Sequence, residues 1–176
     1  TPTTMQVRSI VSAGDSIMFM ANEISTPWEI DAWAYKNGAL EQITHSYGVA
    51  SVSGSRSSYV SRISTLDTER AQFTVHTATA THDIASLAET ALVQPNVRIM
   101  SVGPRGIPVA ILLPRDGLST KLPVLFDPYG GPHAQRVVAS RAAYNSSQWF
   151  ADQGFVVVIV DNTGTPGKGS EWERGV

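Results

Sequence analysis

The chain has 176 residues, 42% of them hydrophobic, with 13 basic and 15 acidic side chains, a formal charge of -2 and no cysteine. A domain of about 150 residues buries roughly 70% of its unfolded surface, so a chain of this length needs no metal or disulfide staple. The missing cysteines exclude a thiolate nucleophile, Cys-ligated zinc, iron–sulfur clusters and disulfides, and the balanced, dispersed charge points away from nucleic acid.

No apolar stretch approaches the roughly 20 residues of a membrane span, and the polar segment at Thr1 lacks a basic or apolar leader. No membrane partner is expected. The compartment stays open, with the cytoplasm as the default. The chain begins without Met and stops in mid-pattern at Glu171 to Val176, so a fragment is expected.

Residues 5 to 93 read as seven short strands: Val7–Val11, Ile17–Ala21, Glu29–Tyr35, Leu40–Thr44, Ala50–Ser53, Ser58–Ile63 and Gln72–Thr77. Asn37-Gly38 supplies the two positive-φ residues of a two-residue hairpin turn, which pairs Glu29–Tyr35 with Leu40–Thr44. Met18-Phe19 precede Trp33 and Tyr35 much as Tyr59-Val60 precede Phe73 and Val75, an offset of about 41 residues that suits four-stranded propeller blades. Two blades cannot close a propeller, so more chain is expected before Thr1. A small independent sandwich is the alternative.

After Pro95 the apolar runs are denser: Val97–Val102, Ile107–Leu113, Leu122–Phe126 and Phe155–Val160. The last is unbroken, as a strand covered on both faces requires, and its edge is expected to be unpaired and open to self-association. Between the last two runs, Asn145 can cap a helix with Gln148 at its third position, Trp149 and Phe150 facing inward and Gly154 as the stop. Strand, helix, strand is an α/β pattern.

Two segments carry chemistry. Phe126-Asp127-Pro128-Tyr129-Gly130-Gly131-Pro132-His133 leaves an apolar strand without continuing into a helix, where a Gly-rich loop and the Tyr129 hydroxyl can donate to an oxyanion. A tight turn around a packed tyrosine remains the other reading. Val160-Asp161-Asn162-Thr163-Gly164-Thr165-Pro166-Gly167-Lys168-Gly169 again ends a buried strand, the edge that ligands favour. It is not a phosphate loop, since Gly169 follows Lys168 and Asn162 replaces the first glycine.

The run Leu122 to Gln135 resembles the start of the catalytic domain in the prolyl oligopeptidase family of serine peptidases, in its dipeptidyl peptidase IV-like and acylaminoacyl peptidase-like branch. Trp149 to Val157, Asp161 to Gly169 and Trp172-Glu173 continue the likeness in order and spacing. The resemblance implies the terminal blades of a β-propeller over residues 1–95, then the first strands of an α/β-hydrolase domain over 96–176. It implies a serine exopeptidase acting on short peptides through a Ser-His-Asp triad, without a cofactor, and Tyr129 as an oxyanion-hole donor. His133 is a lesser candidate for a substrate contact. One departure stands out: the family usually has Arg two residues after the aspartate of the second signature, where this chain has Thr163.

No G-x-S-x-G elbow is present: Gly117-Leu118-Ser119-Thr120-Lys121 and Gly14-Asp15-Ser16-Ile17-Met18 both fail at the last position, and Ser55, Ser57 and Ser58 lie in a blade-like loop. His45, His76 and His82 fall among the early strands, and no metal-ligand spacing emerges. The triad is therefore expected outside this chain and the piece alone inactive. An esterase or acyl-peptide hydrolase, or a non-catalytic β-rich interaction module, are the alternatives.

Overall fold

The computed structural model of the chain describes residues 2–116 and 121–176. Ser119 and its candidate elbow lie outside the described residues.

The first sheet is an antiparallel meander of β1 (Met5–Ala13), β2 (Ile17–Glu23), β3 (Asp31–Lys36) and β4 (Ala39–Gln42), in that order. Lys36 pairs with Ala39 across Asn37 (φ 51°) and Gly38 (φ 86°), the two-residue turn that the sequence predicts. β2 is buried on both faces, with Met18, Phe19, Met20 and Ala21 all in the core. β1 is irregular: Val7 and Ser9 oppose the adjacent residues Ala21 and Met20, which leaves Arg8 as an extra residue in a bulge.

A second meander follows, β5 (Val49–Ser55), β6 (Ser58–Ser64), β7 (Gln72–His76) and β8 (Thr81–Ile84). β2 starts at 17 and β6 at 58, β3 at 31 and β7 at 72, a separation of 41 in each case, so the sequence echo is a repeat of strand order. Met20 and Ala32 of the first sheet pack against Ala50, Val52 and Ile63 of the second. Each sheet is a simple meander without the crossing connections of a Greek-key sandwich, and the arrangement is blade-like. β8 has no expected counterpart, because all four of its residues are exposed and carry no apolar pattern.

The third sheet is mixed. β9 (Val97–Val102), β10 (Ile107–Leu112), β11 (Val124–Tyr129) and β12 (Val156–Asp161) stand in the order β11-β12-β10-β9, with β12 parallel to β11 and antiparallel to β10. A 3-10 turn (Arg141–Tyr144) and α1 (Asn145–Asp152) make the crossover between the parallel pair, and Gly154 at φ 96° ends it. Val157, Ile159, Ala110 and Leu112 form one apolar face and pack on Val137, Tyr144 and Ala151.

Four expectations are corrected here. β12 alternates between buried and half-buried residues, and the opposite face of its sheet is open, with Val124 and Phe126 exposed on β11. β12 lies between two partners, so the edge strands of this sheet are β11 and β9, not the strand after Phe155. Trp149 and Phe150 are 54% and 43% exposed, while Gln148 and Ala151 turn inward. Asn145 is the first helical residue rather than a side-chain cap. Gln148 explains the rotation: its amide accepts the Asn96 N–H (2.7 Å) and donates to the Leu113 carbonyl (3.0 Å) and to Asp152 (2.8 Å). A fully satisfied polar group can occupy the core position that periodicity reserves for an aromatic.

No helix among the described residues is long and apolar enough to cross a membrane, which says nothing of β-barrels.

Candidate functional site

The parallel register sets Tyr129 beside Asp161 at the carboxyl ends of β11 and β12. The Tyr129 carbonyl accepts the Asn162 N–H at 2.7 Å, which joins the two loops that leave these strands. Asp161 is buried, and its carboxylate accepts the backbone N–H of Arg136 (2.9 and 3.1 Å) and of Val137 (2.8 Å). Burial pushes this carboxyl above its ordinary value, opposed by those N–H groups and by the cations of Arg136 and Arg8. The Arg136 guanidinium returns to Asp127 on β11 through two hydrogen bonds. The loop after Tyr129 is thus tied to both strands.

Tyr129 itself is half-buried, and among the described residues its hydroxyl has no hydrogen-bond partner. A Cβ on Gly130 would stand 3.2 Å from the Thr163 carbonyl oxygen, tighter than an ordinary contact, and one on Gly131 would touch the Tyr129 hydroxyl at 3.4 Å. Neither glycine has a positive φ, so what they provide is close approach rather than left-handed backbone.

His133 is exposed in the turn that follows. His45 is exposed in the β4–β5 connection and His82 on β8, while His76 stacks on Tyr59 at 4.4 Å and bonds Ser61 Oγ at 2.9 Å. Ser16 lies in the β1–β2 turn, and Ser55 and Ser57 bond each other at 3.0 Å at the β5–β6 tip. These histidines and serines of residues 16–82 belong to the first two meanders and their turns, whereas Tyr129 ends a strand of the third sheet. Among the described residues no group of three or more His, Asp or Glu could hold a metal ion.

The second signature is braced from outside. Thr163 Oγ1 accepts a hydrogen bond from Arg105 (3.2 Å), so a guanidinium from the β9–β10 turn stands against this residue of the second signature. Arg105 and Lys168 flank the Trp172 ring at 5.9 and 5.1 Å, and Lys168 donates to the Gly106 carbonyl at 2.8 Å. Burial pushes the Lys168 ammonium below its ordinary value. Sequence reasoning assigned no role to Arg105, Arg136, Asp127 or Gln135. Each works through a partner distant in sequence, except the Arg136–Asp127 pair, which are nine positions apart and carry opposite charge.

Residues 142–176 match the sequence profile of the prolyl oligopeptidase family. No curated protein matches the chain. In fold, 99% of the chain matches crystal structures of Porphyromonas gingivalis dipeptidyl peptidase 4 (TM-score 0.78, 21% identity) and of a Bacteroides ovatus protein described as a dipeptidyl aminopeptidase IV (TM-score 0.77, 21% identity). The chain spans 27% of the length of each. A match to the prolyl oligopeptidase family over residues 142–176 thus accompanies a fold similar to part of the dipeptidyl peptidase 4 structures.

Proposed function

We propose that this chain is part of a serine exopeptidase that releases short units from peptides by acyl transfer. Residues 1–95 contribute the last blades of a propeller, and residues 96–176 open an α/β-hydrolase domain. The nucleophile, base and acid of the triad belong to chain beyond these residues. In the reaction, the serine oxygen bonds to the scissile carbonyl carbon, its proton passes to histidine, and the carbonyl oxygen takes up negative charge. The Tyr129 hydroxyl donates to that oxygen, together with a backbone N–H beside the nucleophile. His133, exposed in the adjoining turn, contacts substrate in a lesser role.

The observation that carries this reading is the unengaged Tyr129 hydroxyl, held at the carboxyl end of β11 by a loop fastened through Asp161 and Asp127. A preorganised donor of this kind is worth about 3 kcal/mol in the transition state. Tyr129→Phe in the full-length protein is therefore expected to lower kcat by about a hundred- to a thousandfold on dipeptidyl amides, with soluble, folded protein. An unchanged kcat refutes the assignment. Assaying the same protein on simple acyl esters separates the peptidase from an esterase, and absence of turnover on both supports the non-catalytic alternative.

A further inference from the structure

Arg8 lies on the first sheet, in a bulge of β1, yet its side chain serves the loops of the mixed sheet. Its Nε donates to Asn22 Oδ1 (2.6 Å), and Nη2 donates to the Pro27 carbonyl (3.3 Å) and to Gln135 Oε1. Gln135 Nε2 in turn donates to the Pro27 carbonyl (2.8 Å) and the Val137 carbonyl (3.1 Å). Asn22, itself buried, donates to the Gly167 carbonyl at 2.8 Å. The Gly167 N–H is held by Glu173 at 3.1 Å. One guanidinium therefore gathers the loop that follows Tyr129, the loop that follows Asp161 and the turn after β2.

Two further observations point the same way. The bulge makes Arg8 the unpaired extra residue of β1, and a bulge re-aims the side chain it carries. Gly167, at φ 108°, leaves room for the guanidinium: a Cβ there would lie 3.0 Å from Arg8 Cζ and closer still to Nη2. Burial pushes the Arg8 cation below its ordinary value, with Glu173 and Asp161 nearby opposing this, so its hydrogen bonds are formed in a partly desolvated setting.

We infer that Arg8 is a positioning residue for the reaction proposed above: through Gln135 it registers the Tyr129 loop against the first sheet, so that the phenol meets the developing oxyanion. The inference rests on the oxyanion reading of Tyr129. A guanidinium fork suits this task, since it fixes three acceptors in one plane, whereas an ammonium on a flexible stem does not.

The test uses the full-length protein with Arg8→Met, Arg8→Lys, Gln135→Leu and Tyr129→Phe, singly and with each of the first three in the Tyr129→Phe background. A loop displaced by about 1 Å can cost up to a hundredfold in rate. Arg8→Met, Arg8→Lys and Gln135→Leu are each expected to lower kcat by about ten- to a hundredfold while KM changes less than about threefold. In the Tyr129→Phe background the same changes are expected to add almost nothing, because the group they position is gone. Gln135→Leu removes only the link and keeps the test decisive should the Arg8 variants fail to fold. Unchanged kcat in Gln135→Leu, or losses that multiply in full with that of Tyr129→Phe, overturns the positioning role and leaves the oxyanion reading intact. Unchanged kcat in Tyr129→Phe alone overturns both.

Discussion

Tyr129 and Tyr144 flank the same loop and differ in how their hydroxyls are engaged. Tyr144 is fully buried, and its hydroxyl accepts the Val138 N–H (2.9 Å) and donates to the Val138 carbonyl (2.8 Å). Burial pushes its phenol well above the ordinary value. Tyr129 is half-buried, and its hydroxyl is satisfied by nothing among the described residues. The first phenol closes a loop on itself; the second lies against Gly131 of a loop that other groups have already closed. A buried polar group must be paired, so an unengaged donor at a strand end is where chemistry can be placed without loss of structure.

The comparison can be broken most strongly at Asp161. Asp161→Ala leaves the half-buried Arg136 N–H and the buried Val137 N–H without their acceptor and is expected to lower the free energy of local opening by about 2–4 kcal/mol. Amide hydrogen exchange of peptides covering residues 130–140 in the full-length protein measures this directly, where a global melting curve would not. Tyr144→Phe is the next in size, about 1–2 kcal/mol in the same measurement, since both polar groups of Val138 lose their partner. Tyr129→Phe sharpens the contrast from the other side: exchange across residues 130–140 is expected to change by less than about 0.5 kcal/mol, although turnover falls.

The smallest effect concerns the far end of α1, a control remote from both tyrosines. Burial pushes the Asp152 carboxyl up, but hydrogen bonds from Arg115 and Gln148 outweigh it and hold the group below its ordinary value. A depressed carboxyl contributes stability above its unfolded pKa of about 4 and loses that contribution as pH falls through the lower folded value. The protection factor at the C-terminal turn of α1, exchange corrected for its intrinsic pH dependence, is expected to fall modestly in that acid window and, in Arg115→Met, to become less sensitive to it.

Much of the strand order was legible because its determinants are local. Asn37-Gly38 meets a dihedral requirement within two residues, and the repeat of strand spacing survives as an offset in apolar positions. The helix face was not legible, because Gln148 is satisfied by Asn96 and Leu113, 52 and 35 positions away. β8 was missed because a fully exposed edge strand carries no apolar alternation. At the site, the two Gly-rich segments announced themselves as departures from strand pattern, whereas the Arg8–Gln135 contact joins residues 127 positions apart and leaves no trace in spacing. Polar networks closed by tertiary contact are the part of a site that a single sequence conceals.

The most direct test of the account is a crystal structure of the full-length protein with a dipeptidyl boronate captured by its nucleophile. The Tyr129 hydroxyl is expected about 2.7–3.1 Å from the boronate oxygen that takes the oxyanion position. A boronate oxygen held entirely by other donors, with the Tyr129 hydroxyl turned away, would contradict it.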